Sequence, residues 1–177
     1  KNNLFYKYPC NFMLIVATNP CACGYFKDEK KKCRCSVKEI ENYWKNISGP
    51  IMDRIDMRIN VPRLKEEDLL MKTKGETSNI IRKRVLSCHE IQKKRYKDLN
   101  INYNSEADLR FINSWINEND GIKRIIPGIL NSYSLSGRAL ASIIKISRTI
   151  ADIDGTKIIK TEHLMEALNY RINFNYD

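Results

Sequence analysis

The chain has 177 residues, of which 42% are hydrophobic and 29% charged. This balance suits a globular protein and excludes a disordered one. The length allows one ordinary domain or one and a half small ones. No apolar run approaches the ~20 residues needed to span a bilayer. The 31 Lys+Arg residues exceed the 21 Asp+Glu residues, and the resulting charge of +10 favours phosphate-rich partners such as nucleotides or nucleic acid.

The first ten residues, KNNLFYKYPC, lack the apolar stretch and cleavage site of a signal peptide. We therefore expect a cytoplasmic protein, and a segment cut from the middle of a longer chain. In that compartment the six cysteines are reduced thiols or metal ligands, with disulfides as the alternative.

Strand signals are confined to the first third of the chain. Residues 11–18, NFMLIVAT, form an apolar run typical of a strand buried on both faces. Residues 57–61, MRINV, alternate and predict a second strand. Between them, the S-x-x-E capping box at Ser36 predicts a helix over 37–46, and Pro50 can begin a short helix through Arg54.

Helical periodicity replaces the strand signals after Pro62. We therefore predict an α/β domain over residues 1–63 and a helical domain over 64–177. Further helices are predicted around 66–72, over 78–98, from Ser105, over 136–153 and from Thr161 to Arg171, with a short strand over 157–160.

Two of these helices have contrasting faces. In the helix over 136–153 the apolar stripe should be buried, and Arg138, Lys145, Arg148 and Asp152 should face solvent. In the helix over 78–98 an apolar side opposes a basic side, which either contacts DNA phosphates or is a solvated face. The apolar side holds Ile81, Val85, Cys88 and Gln92, and the basic side Arg82, Lys83, Lys93, Lys94 and Lys97.

The usual signatures of hydrolases are missing from the sequence. No G-x-x-x-x-G-K-[ST] phosphate loop, H-E-x-x-H motif or nucleophile elbow is present. The two histidines, His89 and His163, lie in predicted helices and are expected to be structural.

Three polar side chains suit a phosphate-bearing ligand. Asn19 follows the predicted buried strand, where α/β sheets bind ligands, although it can equally form a turn before Pro20. Arg54 follows a Gly-Pro turn and can project toward a phosphoryl group, including one bound by a neighbouring subunit, or pair locally with Asp53 and Asp56. Arg138 lies in the first turn of its helix, where either an anion or solvent can accommodate its charge.

Two C-x-C pairs lie in one loop, Cys21 with Cys23 and Cys33 with Cys35. Four thiolates on a short loop match the tetrahedral sulfur set that zinc accepts. Unligated thiols and a disulfide or redox role are the alternatives. The loop also carries basic side chains that can offset thiolate charge or contact a phosphate backbone, namely Lys27, Lys30, Lys31, Lys32 and Arg34. The remaining cysteines, Cys10 and Cys88, are expected to be packed thiols.

Six stretches in order give the chain a family resemblance: FMLIVATNPCACGY, CRCS, ISGPIMDRIDMRINVP, GETSNIIRKRV, LSGRALASIIKISRTIADIDG and HLMEALNYR. The chain resembles the magnesium chelatase-like AAA+ ATPases of bacteria along essentially its whole length. The resemblance implies that residues 1–63 are the second half of a P-loop AAA+ nucleotide-binding core and that 64–177 form its helical lid. It also implies that Walker A and Walker B segments precede Lys1.

The resemblance assigns roles to the three phosphate-binding candidates. Asn19 matches the sensor 1 position, which orients the attacking water. Arg54, in D-R-I-D, matches the arginine finger acting on ATP in the adjacent subunit. Arg138, in L-S-G-R, matches the sensor 2 arginine of the lid. ATP with Mg²⁺ is the implied cofactor, and a structural Zn²⁺ is compatible with the cysteine pattern.

The implied activity is that of a hexameric motor that drives DNA branch migration during natural transformation. The chain alone should not hydrolyse ATP, because its sequence lacks the phosphate loop. Two alternatives are a motor subunit serving magnesium insertion into a tetrapyrrole and a zinc-stabilised protein-binding module without enzymatic activity.

Overall fold

The computed structural model describes residues 5–8, 10, 12–47, 49–64 and 75–172. In this part of the chain the regular elements are helical: α1 (Val37–Lys45), α2 (Gly49–Arg54), α3 (Ser78–Arg95), a 3₁₀ turn (Asn104–Glu106), α4 (Leu109–Asn117), α5 (Asp120–Ser132), α6 (Gly137–Ile153) and α7 (Thr161–Ile172). The chain divides into two compact units, Lys1–Trp44 and Lys45–Asp177. No helix among the described residues is long and apolar enough to cross a bilayer.

Helix α1 begins where its capping box predicts. The Ser36 amide and hydroxyl donate to Glu39 Oε2 at 2.7 and 2.8 Å, and the Glu39 amide donates back to Ser36 Oγ at 3.3 Å. The helix buries Ile40 and Trp44. Trp44 Nε1 donates to the carbonyl of Pro20 at 3.0 Å, so the end of α1 is attached directly to the start of the cysteine loop.

The structure does not form the two predicted strands, so the α/β part of the predicted fold is absent from the described residues. Residues 12–18 and 57–61 are non-helical and unpaired as strands. In the first segment the large apolar side chains from Phe12 to Val16 are all exposed. A strand exists only when a neighbouring strand completes its backbone hydrogen bonds, and the described part of the chain supplies no such neighbour.

The core of the second unit is a cluster of buried apolar side chains from the helices and connecting segments after residue 95. Packing is densest between α6 and α7, and α4 and α5 close the same core. The ring of Tyr96 meets Phe111 edge to face at 5.6 Å between centroids. The cluster contains Tyr96, Ala107, Ile112, Trp115, Ile122, Ile126, Ile143, Ile144, Ile159, Leu164, Ala167 and Leu168.

Most predicted helices after residue 75 are confirmed, with corrections to their starts. Ser136 caps α6, and its hydroxyl accepts from the Ala139 amide at 3.1 Å. The helix predicted from Ser105 begins instead after Asp108, whose carboxylate accepts from the amides of Arg110 and Phe111. The predicted strand over 157–160 is a bend followed by irregular chain.

Two further predictions fall partly or wholly outside the described residues. The helix around 66–72 lies within 65–74, and the predicted boundary after residue 63 adjoins the same stretch. That boundary stays a prediction.

The predicted outward face of α6 is wrong at two positions. Arg148 and Asp152 are each only 1% exposed, and they form an ion pair at 3.0 Å one turn apart. Arg148 also donates to the carbonyls of Lys157 and Thr156 at 2.7 and 2.6 Å. A hydrophobic periodicity argument treats charged residues as exposed, and it fails here because every charge is paired and hydrogen-bonded.

This ion pair is the centre of a buried polar network. The Asp152 carboxylate accepts from Arg95 of α3 and, at 2.9 Å, from Asn104 Nδ2. Asn104 Oδ1 in turn accepts from the hydroxyl of Tyr96 at 2.7 Å, and the backbone amide of Asn104 donates to Gln92 Oε1 at 3.0 Å. Asp152 thus connects α3, the 3₁₀ turn and α6 through one carboxylate.

Candidate functional site

Asn19 lies between the exposed segment 12–18 and the cysteine loop. Its side chain is exposed and rests over Gly24, where an added Cβ would lie 3.8 Å from Asn19 Cγ. Gly24 has φ +81°, a conformation that favours glycine, and its amide closes a turn onto the Cys21 carbonyl at 3.0 Å. The hydrogen-bonded turn here runs from Cys21 to Gly24, so the turn alternative for Asn19-Pro20 stays a prediction, and the Asn19 carboxamide is accessible to a ligand.

Arg54 is the last residue of α2, and its side chain is exposed. Its Nη1 donates to the Pro50 carbonyl at 2.8 Å. The alternative of a local ion pair with Asp53 and Asp56 is wrong, because Asp53 pairs with Arg171 and Asp56 accepts from Ser142. Among the described residues Arg54 has no ion pair, so its guanidinium keeps most of its donors for a ligand.

Arg138 is the second residue of α6, and it is exposed as predicted. The amides of the first helical turn and the guanidinium are both donors, so this end of α6 offers a positively polarised surface to an anion. No ion pair of Arg138 is found among the described residues.

The structure brings Arg54 and Arg138 to one junction between α2 and α6. Asp53, directly before Arg54, accepts from the Ser136 hydroxyl at 3.2 and 3.3 Å through its two oxygens. Ser136 is the N-cap of α6 and lies two residues before Arg138. One hydrogen-bonded contact therefore joins the segments carrying these two arginines, whereas Asn19 belongs to the other compact unit.

A third arginine, Arg171 near the end of α7, fixes the backbone on both sides of Arg54. Its guanidinium donates to the carbonyls of Asp53 and Ile55 at 2.6 and 3.1 Å and to Asp53 Oδ1 at 2.9 Å. Arg171 is 5% exposed. The short segment around Arg54 is thus held by buried, charge-assisted hydrogen bonds while Arg54 itself points outward.

The four loop cysteines come together as the sequence predicts. Their Sγ atoms all lie within 4.8 Å of one another. The pairs Cys21–Cys23, Cys23–Cys33 and Cys21–Cys33 are separated by 3.4, 3.5 and 3.7 Å. Zinc–sulfur bonds of ~2.3 Å in a tetrahedron place sulfur atoms ~3.8 Å apart, and a disulfide needs ~2.05 Å. The cluster therefore consists of free thiols and can hold a metal such as zinc.

The electrostatics of the cluster also favour a cation. Backbone amides of Arg34 and Tyr25 lower the pKa of Cys23 to about 6. The Cys35 amide lowers the pKa of Cys33, but burial and the neighbouring sulfurs of Cys23 and Cys21 outweigh it and raise the value to about 12. The pKa of Cys35 is raised as well. A cation bound among these sulfurs would oppose the repulsion that raises the pKa of Cys33 and Cys35.

The loop between the two cysteine pairs presents its basic side chains to solvent. Asp28 shapes the loop by accepting from the amides of Lys30 and Lys31 at 2.9 and 2.8 Å. Lys31 Nζ lies 5.0 Å from the ring centroid of Tyr25. We call this surface the lysine loop; its exposed basic residues are Lys27, Lys30, Lys31, Lys32 and Arg34.

Helix α3 offers a second basic surface. All five residues predicted on its basic side, Arg82, Lys83, Lys93, Lys94 and Lys97, are exposed. On the other side Cys88 and Gln92 are buried, whereas Ile81 and Val85 are nearly half exposed. The apolar side is therefore covered only over the second half of the helix.

The remaining cysteines and the histidines divide between confirmed and corrected predictions. Cys88 is buried, which raises the pKa of its thiol. Cys10 is exposed, so its prediction as a packed thiol is wrong. His163 is buried and structural, since its Nδ1 accepts from the Lys160 amide at 3.0 Å and Nε2 lies 3.2 Å from Asp154. His89 stacks obliquely on Tyr103.

Sequence reasoning misses Asp53, Ser136 and Arg171 as the residues that hold the segments carrying Arg54 and Arg138. The sequence predicts that Ser136 caps a helix and that Arg171 lies near the end of one. Neither pattern predicts a hydrogen bond to Asp53. The partners lie 83 and 118 residues away in the chain from Asp53. Such pairings become visible only when the helices are packed.

Comparison with known proteins places the chain in a family. The profile for magnesium chelatase subunit ChlI matches residues 1–69, and the profile for the C-terminal part of that subunit matches residues 75–171.

Curated relatives match over 93% of this chain and 31% of their own length. They include the competence protein ComM of Haemophilus influenzae, 37% identical over 166 residues, and the uncharacterized protein YifB of Escherichia coli, 35% identical over 166 residues. A YifB of Salmonella typhimurium is 34% identical with the same coverage. The chain thus spans about a third of the length of these relatives, and it belongs to the magnesium chelatase subunit ChlI family as a ComM-like member.

Proposed function

We propose that the chain is part of an AAA+ ATPase that couples ATP hydrolysis to remodelling of DNA, such as branch migration during natural transformation. The observation that carries this proposal is the junction of α2 and α6, where Arg54 and Arg138 are exposed on segments that are otherwise held firmly. The ChlI family is AAA+ ATPase-like, and the competence protein ComM is a relative. Both support the proposal.

Each candidate residue has a chemical role in this reaction. The Asn19 carboxamide orients the attacking water without adding charge near the terminal phosphate. Arg54 donates to the phosphoryl oxygens of ATP bound by the next subunit, where negative charge develops in the transition state. Arg138 binds phosphate of its own subunit's ATP. ATP would bring Mg²⁺, which neutralises charge on the phosphates.

Complementation between subunits tests the roles of Asn19 and Arg54. In the full-length protein, Asn19→Ala and Arg54→Ala should each lower ATPase activity at least ~100-fold. If Arg54 acts across the subunit boundary, mixing the two variants in equal amounts should restore about a quarter of wild-type activity, because one boundary in four then has both residues intact.

Two controls make this result specific. The double variant mixed with either single variant should restore nothing, and Arg110→Ala, which removes a side chain that is 90% exposed, should keep wild-type activity. A mixture of the two single variants that stays inactive would contradict action across the boundary. Full activity of Arg54→Ala alone would contradict its catalytic role.

The 177-residue chain by itself gives a simpler test. Its sequence contains no phosphate loop, so the isolated chain should not hydrolyse ATP. ATPase activity of the purified chain above that of a buffer blank would contradict the proposal.

Two basic surfaces support DNA as the partner: the lysine loop and the basic side of α3. A lysine beside a half-buried aromatic ring, as at Lys31 and Tyr25, suits binding of a nucleic-acid backbone and bases. We propose that the full-length protein assembles as a ring of six subunits.

Salt dependence identifies which surface meets DNA. We expect full-length protein to bind a four-way DNA junction, with affinity that falls as salt rises. Replacing Lys30, Lys31 and Lys32 by Ala should reduce the log–log salt slope by about 0.9 for each lost phosphate contact. The matching triple change at Lys93, Lys94 and Lys97 serves as the control for the other surface. Unchanged slopes in both variants would exclude these surfaces.

A motor subunit for magnesium chelation is the second candidate, because the matching profiles describe a magnesium chelatase subunit. Binding of the junction DNA favours the first proposal. Absence of DNA binding together with ATP hydrolysis favours the chelatase role. Absence of both activities would leave the cysteine unit as a binding module for another protein.

We further propose that Cys21, Cys23, Cys33 and Cys35 hold one structural Zn²⁺. The convergence of the four sulfur atoms within 4.8 Å of one another supports this assignment. Metal analysis of the purified chain should give about one zinc per molecule, and the variant with Cys21→Ser and Cys33→Ser should give only background. Equal, negligible zinc in both proteins would exclude the site.

A further inference from the structure

We infer that Asp53 and Ser136 are positioning residues that couple Arg54 to Arg138. Through this pair the nucleotide in a subunit's own site would set the position of the arginine offered to its neighbour. The inference rests on the proposed function, since it takes Arg54 as acting on a neighbouring subunit and Arg138 as acting on its own. It concerns two residues that contact no ATP themselves.

Ser136 uses its hydroxyl in both directions. The oxygen accepts from the Ala139 amide at 3.1 Å, which caps α6, and the hydroxyl proton is donated to Asp53. A hydroxyl has one proton to donate, so the contact with Asp53 uses the whole donor capacity of this side chain. The N-terminus of α6 is therefore bonded to α2 by the same group that begins the helix.

Asp53 and Arg171 carry the contact to Arg54. The Asp53 carboxylate accepts from both Ser136 and Arg171, and Arg171 also holds the carbonyls of Asp53 and Ile55. These carbonyls flank Arg54 on either side. A shift of the Ser136 hydroxyl is thus passed to the backbone that aims the Arg54 side chain.

A second contact fixes the angle of this segment. Asp56 accepts from the Ser142 hydroxyl, further along α6. Arg58 adds a bond from its amide to the Tyr170 carbonyl of α7 at 2.6 Å. Ser136 and Ser142 hold the segment of residues 53–56 at two points. A movement of α6 would therefore shift this segment as a rigid body.

The positive charge at the start of α6 explains how a bound phosphate would move Arg54. When phosphate binds at Arg138 and the first turn of α6, it pulls this end of the helix toward the anion. Asp53 stays bonded to Ser136, so Arg54 follows. When the phosphate leaves, this end of α6 moves back, and Arg54 moves back with it. Coupling of this kind needs two sites and a shared element that both bias, and α6 with its Asp53 contact is that element.

Substitutions at Ser136 separate this role from simple helix capping. Ser136→Gly removes the hydroxyl but leaves an acceptable N-cap, and Ser136→Thr keeps both the cap and the donor. Asp108→Gly is the matched control, because it removes the cap of α4 and leaves the Asp53 contact in place. ATP hydrolysis is measured for the full-length protein over a range of ATP concentrations.

In wild type and Asp108→Gly the Hill coefficient for ATP should exceed 1. In Ser136→Gly it should fall to about 1 while the maximal rate stays within about twofold, and Ser136→Thr should restore cooperativity. An unchanged Hill coefficient in Ser136→Gly, a wild-type coefficient of 1, or equal loss in Asp108→Gly would overturn the coupling and leave the proposed ATPase standing. A wild-type protein without ATPase activity would instead overturn the proposed function.

Discussion

The two compact units are stabilised by different chemistry. In the unit Lys1–Trp44 the buried apolar side chains among the described residues are Cys21, Ile40 and Trp44. In the unit Lys45–Asp177 twelve buried apolar residues form one cluster, and the same unit contains the buried network around Asp152.

This difference separates the sources of stability. The helical unit depends on removal of apolar surface from water and on buried charges that are all paired. The cysteine unit buries little apolar surface, and its most concentrated set of contacts is the four-sulfur cluster. A bound metal ion would therefore stabilise the fold of the first unit, as the apolar core stabilises the fold of the second.

Removal of metal should give the largest difference between the two units. Structural zinc contributes about 10–16 kcal/mol of apparent binding free energy in small zinc domains, so chelation should unfold the loop of residues 20–36. We expect amide hydrogen exchange to lose protection in α1 and to stay unchanged in α4, α6 and α7.

The variant with Cys21→Ser and Cys33→Ser is the control for chelation. It should show the exchange pattern of the chelated protein before any chelator is added, and chelator should change nothing further. Loss of protection in α6 on chelation would mean that the two units do not have separate sources of stability.

Loss of the Asp152 carboxylate should affect only the helical unit. Asp152→Ala leaves Arg148 and Arg95 without their shared partner, and removing one member of a buried ion pair costs about 3–5 kcal/mol. Chemical denaturation monitored by circular dichroism should show this loss, with zinc content unchanged. Asp98→Ala, at an exposed turn, is the matched control and should stay within about 0.5 kcal/mol of wild type.

The smallest effect concerns acid and the cap of α1. Hydrogen bonds from the Ser36 amide and hydroxyl lower the pKa of Glu39 below its ordinary value of 4.5. A carboxyl with a lowered folded pKa contributes stability above pH 4.5 that is lost as the pH falls through the folded value. Glu39→Gln should lack this contribution at neutral pH, and the stabilities of the two proteins should begin to converge near pH 4.5 and become equal below the folded pKa of Glu39.

The measurement is the difference in helix content between wild type and Glu39→Gln from pH 7 to pH 3. The difference removes any release of metal by acid, which both proteins share. A constant difference across this range would contradict the assigned role of Glu39.

Local signals in the sequence predict much of the fold and of the site. Ser36 and Ser136 mark helix starts by capping chemistry that involves only nearby residues, and both helices begin where they predict. The spacing of the four loop cysteines likewise places them within a single loop, and their sulfurs converge. Arg54 and Arg138 are exposed as expected, and their roles remain predictions.

Predictions that depend on distant partners fail. The run at 12–18 has strand composition, but a strand needs a neighbouring strand. Helix α5 is not predicted, because Pro127 and Gly128 interrupt its helical pattern. Arg148 has the composition of a surface residue, and only the folded chain shows that Asp152 and two backbone carbonyls receive its charge.

The positions of the two tryptophans give the molecule a pair of built-in optical probes. Trp44 is bonded to Pro20 beside the first cysteine, and Trp115 is buried in the helical core. Because the sequence has only these two tryptophans, Trp115→Phe leaves an emission spectrum that reports on the cysteine loop, and Trp44→Phe leaves one that reports on the helical core. Loss of metal and melting of the helices can then be followed separately by tryptophan fluorescence, each in the variant that keeps the corresponding tryptophan.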